Sequence, residues 1–313
     1  MKYLEYMNNL IIEHVRKTEN CVLFGQNIDA GSCLGGLTRN IKVSDKSIIF
    51  NSTNAENSLV GFGFGVMMNG SSAVFLMKQL DFLLLGIDHL VNTYNIIRSL
   101  KDKYPQGSFT IVATVVDSGY DGPQSSFNNF YDLCSIAKVD GFNVNNKADA
   151  DHIFSNEFLQ PGFRIIALSQ RLSKEELNET DFPLKVLENG NIFQYSEGED
   201  VTIVSVNFSL PQALALAKYL KEKNIYSTHY QINNITNSNW EVIKSNILMT
   251  KKIIIIDDSK SLQTSADHLL AQLCGMNIQK KIVLKRDLKD NWLYPVSDVF
   301  EIDQYSVFNN LTN

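Results

Sequence analysis

The 313-residue sequence offers little to a metal ion or a disulfide. Its four cysteines, Cys21, Cys33, Cys134 and Cys274, are far apart and form no CxxC. Its five histidines, His14, His89, His152, His229 and His268, show no HxH or HxxxH spacing. Zinc ligation and a disulfide framework are therefore not indicated; the thiols read as reduced and mostly buried, and each histidine as a helix or surface residue.

Positive charge is also scarce: 28 basic against 34 acidic side chains give a net charge of -6. With no basic stripe interleaved with aromatics, the chain has no field for a phosphate backbone, and nucleic acid is not an expected partner. No apolar run reaches the length of a signal peptide or a membrane span, so the expected location is the cytoplasm, with no membrane contact. GxSxG does not occur, which leaves serine-hydrolase chemistry without support. The glycines of GFGFG (61–65) have GxGxG spacing, and the polar stretch NSTNAENSLV separates them from the preceding strand-like SIIF. A dinucleotide fingerprint needs GxGxxG directly between strand and helix, so it fails here.

What the chain does have is alternation. Short apolar runs of strand type (21–25, 47–50, 73–77, 109–116, 141–144, 164–169) are interleaved with segments of helical period. This predicts an α/β fold. The segment DFLLLGIDHLVNTYNIIRSL (81–100) predicts one amphipathic helix. Between 170 and 200 the periodicity fades and the chain turns polar, and a domain boundary is placed there, giving domains 1–185 and 186–313. The second half predicts strands at 201–207, 226–233 and 252–258 and helices at 210–224, 239–248 and 262–273. Runs such as IIII imply strands covered on both faces, as in a parallel sheet between helices. At this length and with 44% hydrophobic residues, two domains are expected.

Two local features carry candidate chemistry. Asp121 and the later GFNVNN mimic a GDG…NN diphosphate motif, but Asp121 comes five residues after Val116, in loop-like sequence, so no metal site is assigned. Glu56 is a lone acid ahead of Leu59, Val60 and Phe62. It reads either as a first-turn helical acid, capped by Asn54, or as a desolvated carboxyl able to carry a proton near neutral pH. Gly61 and Gly65 fall one helical turn apart and predict close packing.

These residues carry a resemblance. VLFGQNI (22–28), NAENSLVGFGFGVMMNG (54–70), LMKQLDFLLLGIDHLVN (76–92), DGPQSS (121–126), EGEDVTIVSVNFSLPQALALAKYLKEKNI and TKKIIIIDDS resemble, in order and spacing, the β subunit of the 2-oxoacid dehydrogenase decarboxylase component. More broadly they resemble the pyrimidine-binding and C-terminal domains of the transketolase superfamily. The resemblance implies two domains, each a mostly parallel sheet covered by helices, and thiamine diphosphate as cofactor. Glu56 falls on the acid that hydrogen-bonds the aminopyrimidine, and Phe82 on the aromatic that packs against that ring. Gln26 stands where the family has an acid, and is expected beside the cofactor. Gln124 and Ser125 fall at the substrate entrance, where Gln124, Ser125 and Ser126 replace a QHS triplet; Ser135 replaces a second histidine. Magnesium and diphosphate are expected mainly on an α-type subunit, in an α2β2 assembly, with no metal ligand in this chain. The implied reaction is carbon–carbon cleavage beside a carbonyl of a small 2-oxo acid. Two alternatives are ketol transfer between sugars by a split transketolase, and a non-catalytic structural subunit of such a complex.

Overall fold

The computed structural model describes residues 1–100, 107–118, 127–177, 182–263, 265–286 and 300–313. The chain divides into two compact units, Met1–Val116 with Leu133–Glu179, and Asp117–Asp132 with Thr180–Asn313. In chain order the elements up to residue 169 are α1 (Tyr3–Lys17), β1 (Cys21–Gly25), β2 (Ile48–Asn51), α2 (Glu56–Met68), β3 (Ser72–Met77), α3 (Tyr94–Ser99), β4 (Ser108–Val115), α4 (Phe130–Ala137), β5 (Asp140–Val144), α5 (Lys147–Asn156) and β6 (Gly162–Ser169).

The first sheet is wholly parallel, in the order β2-β1-β3-β4-β6-β5. Period-two alternation gives each strand two apolar faces. Cys21, Leu23, Val74, Leu76 and Val112 pack with Met7 and Ile11 of α1 and Ile153 of α5 in one core. The intervening aromatics meet on the other face: Phe24 stacks on Phe75 at 5.1 Å, and Phe109 meets Phe64 of α2 edge-on at 5.1 Å. From β1 the chain passes outward to β2 and returns through α2 to β3 on the opposite side of β1. The strand order therefore reverses at β1 and β3, and the carboxyl ends of these strands open onto the crevice where ligands bind in such sheets.

The second unit contains β7 (Lys185–Leu187), β8 (Ile192–Ser196), β9 (Val201–Val206), α6 (Leu210–Glu222), β10 (Ser227–Ile232), α7 (Glu241–Thr250), β11 (Lys252–Asp257), α8 (Ser265–Gln272), β12 (Lys280–Lys285) and α9 (Gln304–Thr312). Its sheet runs β12-β11-β9-β10-β8-β7. The first four strands are parallel, and β8 and β7 add antiparallel. Val201, Ile203, Ile254 and Ile256 pack against Leu216 and Leu220 of α6 and Val307 and Leu311 of α9. The two-domain α/β architecture of mostly parallel, helix-covered sheets is thus present. Among the described residues no helix is long and apolar enough to cross a membrane.

Four local expectations are corrected. The segment 81–100 is not one helix: it opens as a 3-10 turn (Leu80–Gly86), passes through a π turn (His89–Thr93) and only then becomes α3. The cause is packing on α2, because a Cβ on Gly86 would lie 2.6 Å from Val60 Cγ2 and one on Gly61 2.9 Å from His89 Nε2. The polar stretch 170–200 holds β7 and β8, whose short runs hide the alternation. His229 is neither helical nor at the surface; it is fully buried on β10. Of the four free thiols, only Cys21 and Cys134 are buried, while Cys274 is exposed.

Candidate functional site

A small recess opens at the carboxyl ends of β1 and β3, lined by Gln26, Glu56, Phe75, Leu76, Met77, Lys78 and Phe82. Each wall has a structural reason. Gln26 follows Gly25, the last residue of β1, where a Cβ would sit 2.2 Å from the carbonyl oxygen of Leu76; only glycine lets β1 and β3 meet there. Phe75, Leu76 and Met77 are the last residues of β3, and Lys78 is the first beyond it. Glu56 is the first residue of α2. Phe82 comes from the 3-10 turn that Gly86 docks on Val60.

Glu56 is 6% exposed, and its Oε1 accepts a 2.9 Å hydrogen bond from Nε2 of Gln26. Among the described residues its Oε2 takes no hydrogen bond and its carboxylate joins no ion pair, so one oxygen is held and the other is left for a ligand. The expected cap from Asn54 does not form. Ala55 is the N-cap residue, without a side-chain bond, because α2 begins at Glu56 itself. Glu56 therefore stands at the first helical position, with the positive end of the helix dipole behind it.

The glycines of α2 divide by neighbour. Gly61 leaves room for the imidazole of His89, whose Nδ1 pairs with Thr93 Oγ1 at 2.8 Å. Gly63 leaves room for the ring of Phe109, which a Cβ would meet at 2.3 Å. At Gly65 a Cβ would meet nothing within 4 Å, so the packing expected there is absent.

The structure thus brings together three sequence-predicted residues, Gln26, Glu56 and Phe82. Gln124 and Ser125, with Asp121 and Ser126, lie outside the described residues; Ser135 is exposed on α4. Lys78 was not anticipated, since no motif or spacing marks it. Only the placement of β3 beside β1 brings it to the recess.

A buried carboxyl with one uncommitted oxygen and an aromatic wall match a ring nitrogen and the apolar face of an aminopyrimidine. The fit concerns the pyrimidine end of thiamine diphosphate; among the described residues there is no cluster of three or more His, Cys, Asp or Glu that could hold a metal ion.

No protein family matches the sequence, and no curated protein does. Among solved structures the chain is similar to one described as "Split gene transketolase, inactive beta4 tetramer", with a TM-score of 0.67 and 16% identity. The similarity covers 98% of this chain and 97% of that one. The fold is therefore transketolase-like through both units.

Proposed function

We propose that this chain is the β-type subunit of a heteromeric thiamine diphosphate-dependent enzyme that cleaves a carbon–carbon bond beside a carbonyl, with 2-oxoacid decarboxylation and acyl or aldehyde transfer as the reaction. The observation that carries this reading is the Gln26–Glu56 pair, sharing a recess with Phe82 at the point where the strand order of the first sheet reverses. On this reading residues 1–185 form the pyrimidine-binding domain and 186–313 the C-terminal domain.

When bound, thiamine diphosphate supplies a nucleophilic carbon and an electron sink. This chain's residues orient it. Gln26 holds Oε1 of Glu56 and leaves Oε2 as the atom that would hold or release a proton toward a pyrimidine nitrogen of the bound cofactor. Phe82 presents an aromatic face to the ring. Phe75 and Met77, both buried, keep water from the carboxyl and so strengthen its hydrogen bond to the ring. Magnesium and diphosphate are assigned to an α-type partner, in an α2β2 assembly whose site is incomplete without both chains.

The structural neighbour favours a second reading: a split transketolase subunit that transfers a ketol unit between sugars. Its description as an inactive β4 tetramer also supports assembly of this chain with itself when no partner is present, and a purely structural role for the chain. Co-expression with an α-type chain, followed by measurement of thiamine diphosphate binding and turnover on 2-oxo acids and on ketose phosphates, separates the three. Decarboxylation supports the first, ketol transfer the second, and an assembled complex that neither binds nor turns over supports the third.

A further inference from the structure

Among the described residues, Lys78 is the one basic side chain in the wall of the recess. It is exposed, and among the described residues it makes no ion pair and no hydrogen bond. Glu56 lines the same recess but lies outside ion-pair distance of Lys78, and its Oε1 is engaged by the neutral amide of Gln26. An acid and a base thus share a small recess without pairing. The chain as a whole carries a net charge of -6, so its overall field repels anions, and only a local cation can attract one. The position is fixed by the fold: Lys78 follows directly on β3, whose last residues, Phe75 to Met77, are buried in the floor.

We propose that Lys78 is a specificity-determining residue, whose ammonium binds the anionic group of a carbonyl substrate while Glu56 and Gln26 serve the cofactor. The substrate class is a carbonyl compound that carries a carboxylate or a phosphate, as opposed to a neutral aldehyde or ketone. This rests on the reading of the recess given above, and a lysine suits the task because its ammonium is a point charge on a flexible stem that tolerates either anion.

The test has two arms. In the first, the full chain alone is titrated with pyruvate, with glycerone phosphate and with hydroxyacetone, a neutral analogue of pyruvate, while the Lys78 and Gln26 side-chain resonances are followed by NMR. Pyruvate or glycerone phosphate should move them and hydroxyacetone should not; whichever anion binds more tightly distinguishes carboxylate from phosphate. Lys78→Arg should keep the response and Lys78→Met should abolish it. Equal responses to all three probes, or an unchanged response in Lys78→Met, would overturn the proposal. In the second arm, the complex with the α-type chain carries Lys78→Met. The KM for the anionic substrate should rise about ten-fold with kcat and thiamine diphosphate affinity retained, the signature of lost uniform binding. A matching fall in cofactor affinity would assign Lys78 to the cofactor and contradict the proposal. The first arm needs no cofactor, so failure of the thiamine diphosphate reading is distinguishable from failure of this one.

Discussion

The side-chain amide of Gln26 donates to the carboxyl of Glu56 across 2.9 Å, joining the end of β1 to the first residue of α2. Because Glu56 is buried, loss of this donor leaves Oε1 unsatisfied, which costs about 1–3 kcal/mol. Gln26→Leu should therefore lower the urea midpoint without changing the slope, and it should weaken cofactor binding in the complex, since the carboxyl is then free to rotate.

The glycines of α2 give opposite signs. Gly63→Ala drives a methyl into the Phe109 ring, 2.3 Å away, and should destabilise by about 1–3 kcal/mol. At Gly65 the space is open, and Gly65→Ala should stabilise by about 0.8–1 kcal/mol through helix propensity. Equilibrium unfolding of the two variants checks both; a common sign would contradict the packing described.

Gly86 fixes the distance between the two walls that carry Phe82 and Glu56. Gly86→Ala would clash with Val60 Cγ2 at 2.6 Å and move the 3-10 turn off α2. Cofactor affinity should fall, and Val60→Ala in the same chain should restore part of it by removing that methyl. A Gly86→Ala variant with full affinity would show that the turn does not position the ring.

In the second unit, burial holds the His229 imidazole down to about 3 from its usual 6.5. Its Nε2 lies 2.7 Å from Ser205 Oγ, and its Nδ1 has no hydrogen-bond partner among the described residues. Ser205 Oγ also lies 2.5 Å from the acceptor Oε1 of Gln231. The hydroxyl proton goes to that acceptor, so the imidazole carries its own proton on Nε2 and is neutral. Below pH 6.5 the unfolded chain takes up a proton that the folded chain refuses until about pH 3, so this group's contribution is complete above 6.5 and is lost as pH falls through that window. The loss approaches about 1.4 kcal/mol per pH unit. His229→Gln should flatten the acid limb of the stability profile, measured by urea unfolding between pH 7 and 4.

Much of this could be read from the chain before its structure. The strands were legible because both faces of a parallel sheet are apolar, so β11 appears as a run of four Ile and β9 as a Val- and Ile-rich segment. Glu56 was singled out through the family resemblance, because on its own a carboxylate at this place reads equally as an ordinary first-turn helical acid. The break at 80–93 was not, because the helical period of DFLLLGIDHL is overridden by two contacts with α2, at Gly86 and at His89, that only the fold creates. β7 and β8 escaped because they pair antiparallel at one side of their sheet, with runs too short for alternation to register. Lys78 escaped for a related reason: its meaning comes from the neighbour of β3 and not from its neighbours in sequence.

The central claim is that Glu56 acts on a cofactor ring. The direct measurement is thiamine diphosphate binding and turnover by the co-expressed complex with Glu56→Gln, a nearly isosteric change that keeps a hydrogen bond but removes the exchangeable proton. The account predicts an assembled complex with turnover reduced at least about 100-fold, the scale of general acid–base catalysis, and weakened cofactor binding. Unchanged binding and turnover in Glu56→Gln would contradict it.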